Sequence, residues 1–202
     1  MIDLIKLKKG TEEWYEKAFS LLTYDKGFTT SIKKAASRVA AGKTRYEPVA
    51  AALGMHWWHI GALHNMEASC NFSGVLHNGE RIIGTTKKTT LVPKGRGPFK
   101  TWEDAAIDAL GMKRYARFGI EAWTLGFILQ KSEEYNGVGY LKWHPSENSP
   151  YLWAQTNIND DFGKYTSDGK FSETASANGQ TGIAAIFKEL EAQKIIKIPK
   201  AF

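Results

Sequence analysis

His64 and Glu67 stand three residues apart in the segment Trp57-Trp58-His59-Ile60-Gly61-Ala62-Leu63-His64-Asn65-Met66-Glu67. On a helix, Leu53, His56, Ile60, Leu63 and Glu67 recur at three- and four-residue spacing and so share one face. That spacing places a carboxylate in line with an apolar stripe. A carboxylate drawn out of water holds its proton more tightly, because the ionised form loses solvation. An acid still protonated near neutral pH can hand a proton to a leaving oxygen, as glycosidic cleavage requires. Periodicity alone fits equally well a Glu67 that sits half-exposed at a helix edge beside a cation.

The histidines raise a metal reading. His64 and Glu67 share an i, i+3 edge, with His56 and His59 one or two turns earlier. The order is not His-Glu-x-x-His and no third ligand stands out, so His64 is read as a hydrogen-bonding residue near a cleft or under a loop. The expectation is no metal and no cofactor.

The elements that must position these residues are mostly helical. Thr11 caps a helix carrying Trp14, Ala18, Leu21 and Leu22, with Glu12 and Glu13 in its first turn. A second helix covers about Ser31 to Ala41 and stops at Gly42. A third runs from about Glu47 to Ser69, with Pro48 in its first turn and Gly54 and Gly61 as places for a kink or break. Between Phe72 and Gly97, the Asn78-Gly79 turn signal and the β-prone runs Arg81-Ile82-Ile83 and Thr89-Val92 predict a small antiparallel hairpin. Thr101 caps the next helix, with Asp104 three residues on. A largely apolar helix is expected from about Arg117 to Glu134, and a last one from Thr181 to Lys194. The stretch from Tyr135 to Gly179 reads as long structured loops, which inside a compact domain are usually functional. The fold class is therefore α+β, predominantly helical.

Asn71-Phe72 and Leu76-His77-Asn78-Gly79-Glu80 follow the histidine-glutamate segment. Together they resemble the "lysozyme family" proteins of bacteria and phages, within the lysozyme-like superfamily, which carry a helix-borne His-x-x-Glu, then Phe and Leu-His-Asn-Gly-Asp. The likeness continues through Trp102 to Leu110, Tyr135 to Tyr140, Ser149 to Trp153 and Gly163-Lys164-Tyr165, covering roughly residues 45 to 190 in ordered blocks. Tyr135-Asn136-Gly137 is similar to the Tyr-Asn-Gly-type turn that lines the cleft of goose-type lysozymes and lytic transglycosylases. The resemblance implies a lysozyme-like two-lobed fold with a substrate cleft, peptidoglycan glycan strands as substrate and Glu67 as general acid. The reading is of one domain over residues 1–202, with N-terminal helices in 1–44 packed upon it.

Glu80 stands where the family carries Asp, and two readings stay open: a second catalytic carboxylate, or a turn residue. Asp104 and Asp108 read as capping and surface charges, so hydrolysis and lytic transglycosylation both remain. Tyr135, Asn136, Tyr140, Tyr151 and Trp153 are expected, as a group, to line the cleft beside His64. Amide and phenol groups can bind N-acetyl and hydroxyl groups while rings pack on sugars. A catalytically silent glycan-binding or phage-structural module is the alternative from another class, and a metal-dependent wall amidase a third.

Composition bounds the partners. With 43% hydrophobic and 24% charged residues the 202-residue chain is an ordinary globular one. A net charge of +6 suits an anionic partner such as a cell wall. Scattered cations without any finger, RRM or helix-turn-helix signature argue against nucleic acid. A single cysteine, Cys70, precludes an internal disulfide. Met1-Ile2-Asp3-Leu4-Ile5 shows no signal-peptide pattern, and no apolar run is long enough to span a bilayer. The expected setting is the cell wall, reached by secretion, the periplasm or phage delivery, with the protein acting as a monomer.

Overall fold

A computed structural model describes residues 4, 6–24, 26–167 and 169–199. The opening residues read above for a leader fall partly at 1–3 and 5, outside the described residues. The chain divides into two compact units, one formed by residues 1–36 and 124–202 and the other by residues 37–123. Among the described residues it is mostly helical with one small two-stranded antiparallel sheet, and no helix is long and apolar enough to cross a membrane.

In the first unit, α1 (Glu12–Ser20) begins where the Thr11 hydroxyl accepts the Trp14 N–H at 3.3 Å. The next helix, α2 (Thr29–Ala41), starts in this unit and ends in the other. α1 buries Trp14, Tyr15, Ala18 and Phe19, and Trp153 packs edge-on to Trp14 at 5.9 Å and parallel to Tyr15 at 6.5 Å. That aromatic trio, with Ile128, Leu152, Ile186 and Phe187, belongs to the core of the unit. The apolar helix expected from Arg117 is shorter: α6 (Leu125–Asn136) is preceded by single 3-10 turns at 115–117 and 120–122. Thr124 decides the boundary, since its hydroxyl accepts the Phe127 N–H and its extended backbone ends any helix arriving from before it. Short helices α7 (Gly139–Trp143) and α8 (Pro150–Trp153) follow, and α9 (Ile183–Ala192) closes the unit.

The second unit holds α3 (Lys43–Leu53), α4 (Trp57–Ala68) and α5 (Trp102–Met112). The helix predicted from Glu47 to Ser69 is thus two helices, separated at Gly54, whose left-handed backbone (φ 63°) ends α3. Pro48 lies inside α3 rather than in its first turn, because the helix starts earlier. Tyr46 and Arg45 anchor that extra turn: Tyr46 is buried, and Arg45 reaches the Glu103 carboxylate. α4 is buried from Trp58 to Asn65, so it is a central helix covered on every side, with His59, His64 and Asn65 among its buried residues, and not an amphipathic one.

The hairpin predicted between Phe72 and Gly97 is not a ladder. Only an isolated bridge, Gly74 with Arg81, forms there among the described residues. Two physical causes act together. Pro93 and Pro98 have no N–H to donate, and the Glu80 carboxylate takes the N–H groups of Thr90 and Leu91 that a ladder would use. The sheet lies instead where loops were expected: β1 (Phe162–Ser167) and β2 (Lys170–Ser176), paired Tyr165 with Phe171 and Ser167 with Lys170.

Candidate active site

Glu67 is positioned by the helix that carries it and by the loop that returns beneath it. α4 leaves the interior at its last turn, where Met66, Glu67 and Ala68 are half-buried. Ser69 then turns left-handed (φ 52°), and the Ser69 and Cys70 N–H groups close the helix on the carbonyls of Asn65 and His64. Gly79, in the turn of Leu76-His77-Asn78-Gly79-Glu80, sits directly against the Glu67 carbonyl. A β-carbon at position 79 would lie 2.2 Å from that oxygen, and the backbone there is left-handed (φ 79°). Only glycine meets both conditions. The His-Asn-Gly turn is therefore a brace for the acid-bearing end of α4.

His64 was expected to touch substrate, and its place corrects that. It is fully buried one turn before Glu67. Its Nε2 lies 3.1 Å from the Asn71 carbonyl, which can only accept, so Nε2 carries the hydrogen and the Tyr46 hydroxyl donates to Nδ1 at 3.0 Å. Trp102 and Phe72 pack on the ring at 4.5 and 4.9 Å. With both nitrogens engaged, His64 holds the loop after α4 and has no lone pair left for a metal or a sugar. Burial pushes its pKa down to about 4, so it is neutral at physiological pH. Among the described residues no three His, Cys, Asp or Glu side chains converge as a metal-holding cluster.

Glu80 resolves toward the turn reading. Its carboxylate accepts from the Thr90 hydroxyl at 2.6 Å, the Thr90 N–H at 3.0 Å, the Leu91 N–H at 3.1 Å and the Asn78 amide at 2.9 Å. The Thr90 hydroxyl bond leads in holding this carboxyl below its usual pKa. With its acceptor directions filled by these donors, the Glu80 carboxylate ties the turn to residues 90 and 91 and is a loop-holding group rather than a free second carboxylate. Nearby, Asp108 accepts from Arg96 and His77, and Glu103 from Arg45 at 2.9 Å. Glu80→Ala is expected to loosen the loop while leaving the unit folded: trypsin should cut at Lys87, Lys88 or Lys94 several-fold faster, with little change in melting temperature. Unchanged cleavage rates would show that the carboxylate does not hold the loop.

The remaining candidates lie in the first unit. Trp153 is fully buried between Trp14 and Tyr15, so its assignment to a cleft is corrected to core packing. Tyr135 and Tyr151 are half-buried. Asn136 and Tyr140 do meet, in an open groove of about 420 Å³ that also involves Gly137, Gly139, Trp143 and Tyr165. Tyr140 is mostly buried, its hydroxyl accepting the Tyr165 N–H at 3.3 Å and its ring meeting Tyr165 edge-on at 5.3 Å. Phe171 of β2 stacks on His144 at 3.6 Å behind it. An exposed amide beside aromatic faces is chemistry suited to a sugar.

Two residues escaped the sequence reading. Trp143 is 74% exposed at the rim of this groove, and nothing in its neighbourhood, Leu141-Lys142-Trp143-His144, separates it from a core tryptophan. Glu133 is the other. It is buried in α6, with Oε2 accepting from the Tyr15 hydroxyl at 2.6 Å and Oε1 without a hydrogen-bond partner among the described residues. Burial pushes its carboxyl pKa up, but it is only 1% exposed, which makes it a core acid rather than a substrate-facing one.

Compared with family models, with curated proteins and with solved structures, the chain gives no match to any of them.

Proposed function

We propose that this chain is a lysozyme-like glycosidase that cleaves the β-1,4 glycan backbone of peptidoglycan, with Glu67 as the general acid. The observation that carries the reading is the seat of Glu67: a half-buried residue in the exit turn of a buried helix, with Gly79 pressed against its main-chain carbonyl. Such a seat holds the helix end that carries the acid while leaving the residue open to solvent, which suits general acid catalysis. The proton goes to the glycosidic oxygen as the bond to the anomeric carbon breaks, and an oxocarbenium-like centre develops on the sugar. Glu67, left ionised, then takes a proton from the group that attacks that centre. A lysozyme-like two-lobed fold with a substrate cleft belongs to the same proposal, as does action at the cell wall after secretion, in the periplasm or by phage delivery. The net positive charge favours retention on an anionic wall.

A second reading, lytic transglycosylation of the same strands, has its own support. Glu80, Glu103 and Asp108, three carboxylates of the Glu67 unit, are committed to internal donors. Where no further carboxylate activates water, the substrate's own hydroxyl becomes the natural nucleophile, and one acid can serve both half-reactions. A silent glycan-binding module has no observation of comparable weight behind it.

Dye-labelled insoluble peptidoglycan tests the proposal. Purified protein is expected to release soluble dye at the same rate with and without a strong chelator. Release no faster than buffer would overturn the enzymatic reading, and release abolished by chelator would replace it with a metal-dependent amidase.

A further inference from the structure

Six of the chain's 27 cations, Arg81, Lys87, Lys88, Lys94, Arg96 and Lys100, lie between Arg81 and Trp102, and none of its 21 acids does. The remaining 21 cations and 21 acids cancel, so this one stretch carries the entire excess of +6. It is a folded loop, not a tail. The Gly84 N–H donates to the Phe99 carbonyl, the Thr89 N–H to the Arg96 carbonyl and the Gly95 N–H to the Thr89 carbonyl, each at 2.9 Å. Two branches, 84–89 and 95–99, therefore run side by side in one loop, with Lys87 and Lys88 on the first and Lys94 and Lys100 flanking the second. Arg96 is spent on Asp108. The four lysines are exposed, and no ion pair joins them to a carboxylate among the described residues.

The tip of the loop is apolar. Leu91 is 56% and Val92 71% exposed, although both are residues that water disfavours. They are held outward deliberately in structural terms. Glu80 clamps the Thr90 and Leu91 N–H groups from below, and the Asn78 amide donates to the Val92 carbonyl at 3.3 Å. Recognition of a soluble polyanion would use the lysines and gain nothing from two adjacent aliphatic side chains. A bilayer surface uses both: aliphatic groups enter the boundary between headgroups and acyl chains, while lysines meet anionic headgroups.

We propose that the loop between Arg81 and Lys100 is a membrane-docking element, with Leu91 and Val92 entering the interface of an anionic bilayer and Lys87, Lys88, Lys94 and Lys100 contacting its headgroups. The docking is peripheral and reversible, since two aliphatic side chains and four cations give far less than a spanning helix. It does not depend on what Glu67 does.

Sedimentation with phosphatidylcholine vesicles, with and without phosphatidylglycerol, tests it on the full chain. The protein is expected to pellet with the phosphatidylglycerol vesicles and to be released by high salt. The Lys87→Glu/Lys88→Glu variant should partition at least about tenfold less, since each cation near such a surface is worth roughly fivefold. Leu91→Asp/Val92→Asp, two exposed positions whose change leaves the melting temperature in place, should fall by a similar factor. Equal pelleting on both vesicle types would overturn the proposal. So would undiminished pelleting of the Leu91→Asp/Val92→Asp variant, which would mark the loop as a purely electrostatic binder of anionic polymer.

Discussion

Glu67→Gln is expected to lower turnover on peptidoglycan about a thousandfold, because positioned general acids contribute on the order of 10²–10⁴ in rate. The substitution keeps the size and helix preference of the side chain and removes only its proton. Glu67 lies in the final, half-buried turn of α4, so the buried run from Trp58 to Asn65 is untouched. The melting temperature and the fraction of protein pelleting with the wall should therefore match wild type. Glu67→Asp keeps an acid but draws it back by one methylene, and should retain an intermediate rate. Equal rates for wild type and Glu67→Gln would remove Glu67 from the mechanism. A Glu67→Asp variant as inactive as Glu67→Gln, with the fold intact, would leave geometry rather than protonation as the requirement.

The second large effect is a loss of stability in mild acid. His59 and His64 are fully buried in the Glu67 unit, and burial is the leading cause that pushes their pKa values down to about 3 and about 4 from an ordinary 6.5. The sign follows directly. Above pH 6.5 both histidines are neutral whether the chain is folded or not, and stability is whole. As pH falls below 6.5 the unfolded chain takes up protons that the folded chain refuses, so stability drops until the folded pKa is reached. For His64 the full swing is about 3 kcal/mol at about 1.4 kcal/mol per pH unit, and for His59 about 5 kcal/mol by pH 3. Urea unfolding followed by tryptophan fluorescence at pH 7, 5.5 and 4.5 should give falling midpoints. His64→Gln, which keeps a donor and an acceptor but cannot titrate, should be less stable at pH 7 and show a shallower decline. A flat profile between pH 7 and 4.5 would contradict the buried, neutral state of both rings.

Much of the helical frame was legible in the residues themselves. Thr11 and Thr101 cap where their spacing predicts, the latter accepting from the Asp104 N–H, because capping is a local contest that the first turn settles alone. Gly54 marked the weak point of the third helix for the same reason. What stayed hidden depends on contacts far apart in sequence. The β-prone residues Thr89 to Val92 do not form a strand, because Glu80, ten residues before Thr90, takes the N–H groups of Thr90 and Leu91. The true hairpin lacks an apolar alternation to announce it, since most of β1 and β2 faces water.

The candidate site was legible in part. Its glutamate and the Asn-Gly turn could be found from spacing, and the turn's task could not, since it rests on a 2.2 Å approach between Gly79 and the Glu67 carbonyl. Tryptophans were the hardest to sort. Trp153 and Trp143 both end short helices in the same half of the chain, yet one is sealed between Trp14 and Tyr15 and the other stands at the rim of a groove. Composition records their number and says nothing of which face is covered. His64 was chosen for its distance from Glu67, and that same spacing places it one turn deeper, inside the packed end of the unit.

The most direct test of the central claim is the mass of what the protein releases from insoluble peptidoglycan, native and deacetylated in parallel. Soluble fragments with broken glycan and intact stem peptides are expected from at least one of the two, reducing ends denoting hydrolysis and anhydro ends transglycosylation. Cleaved peptides on unbroken glycan, or no soluble fragment from either substrate, would contradict glycan cleavage by this chain.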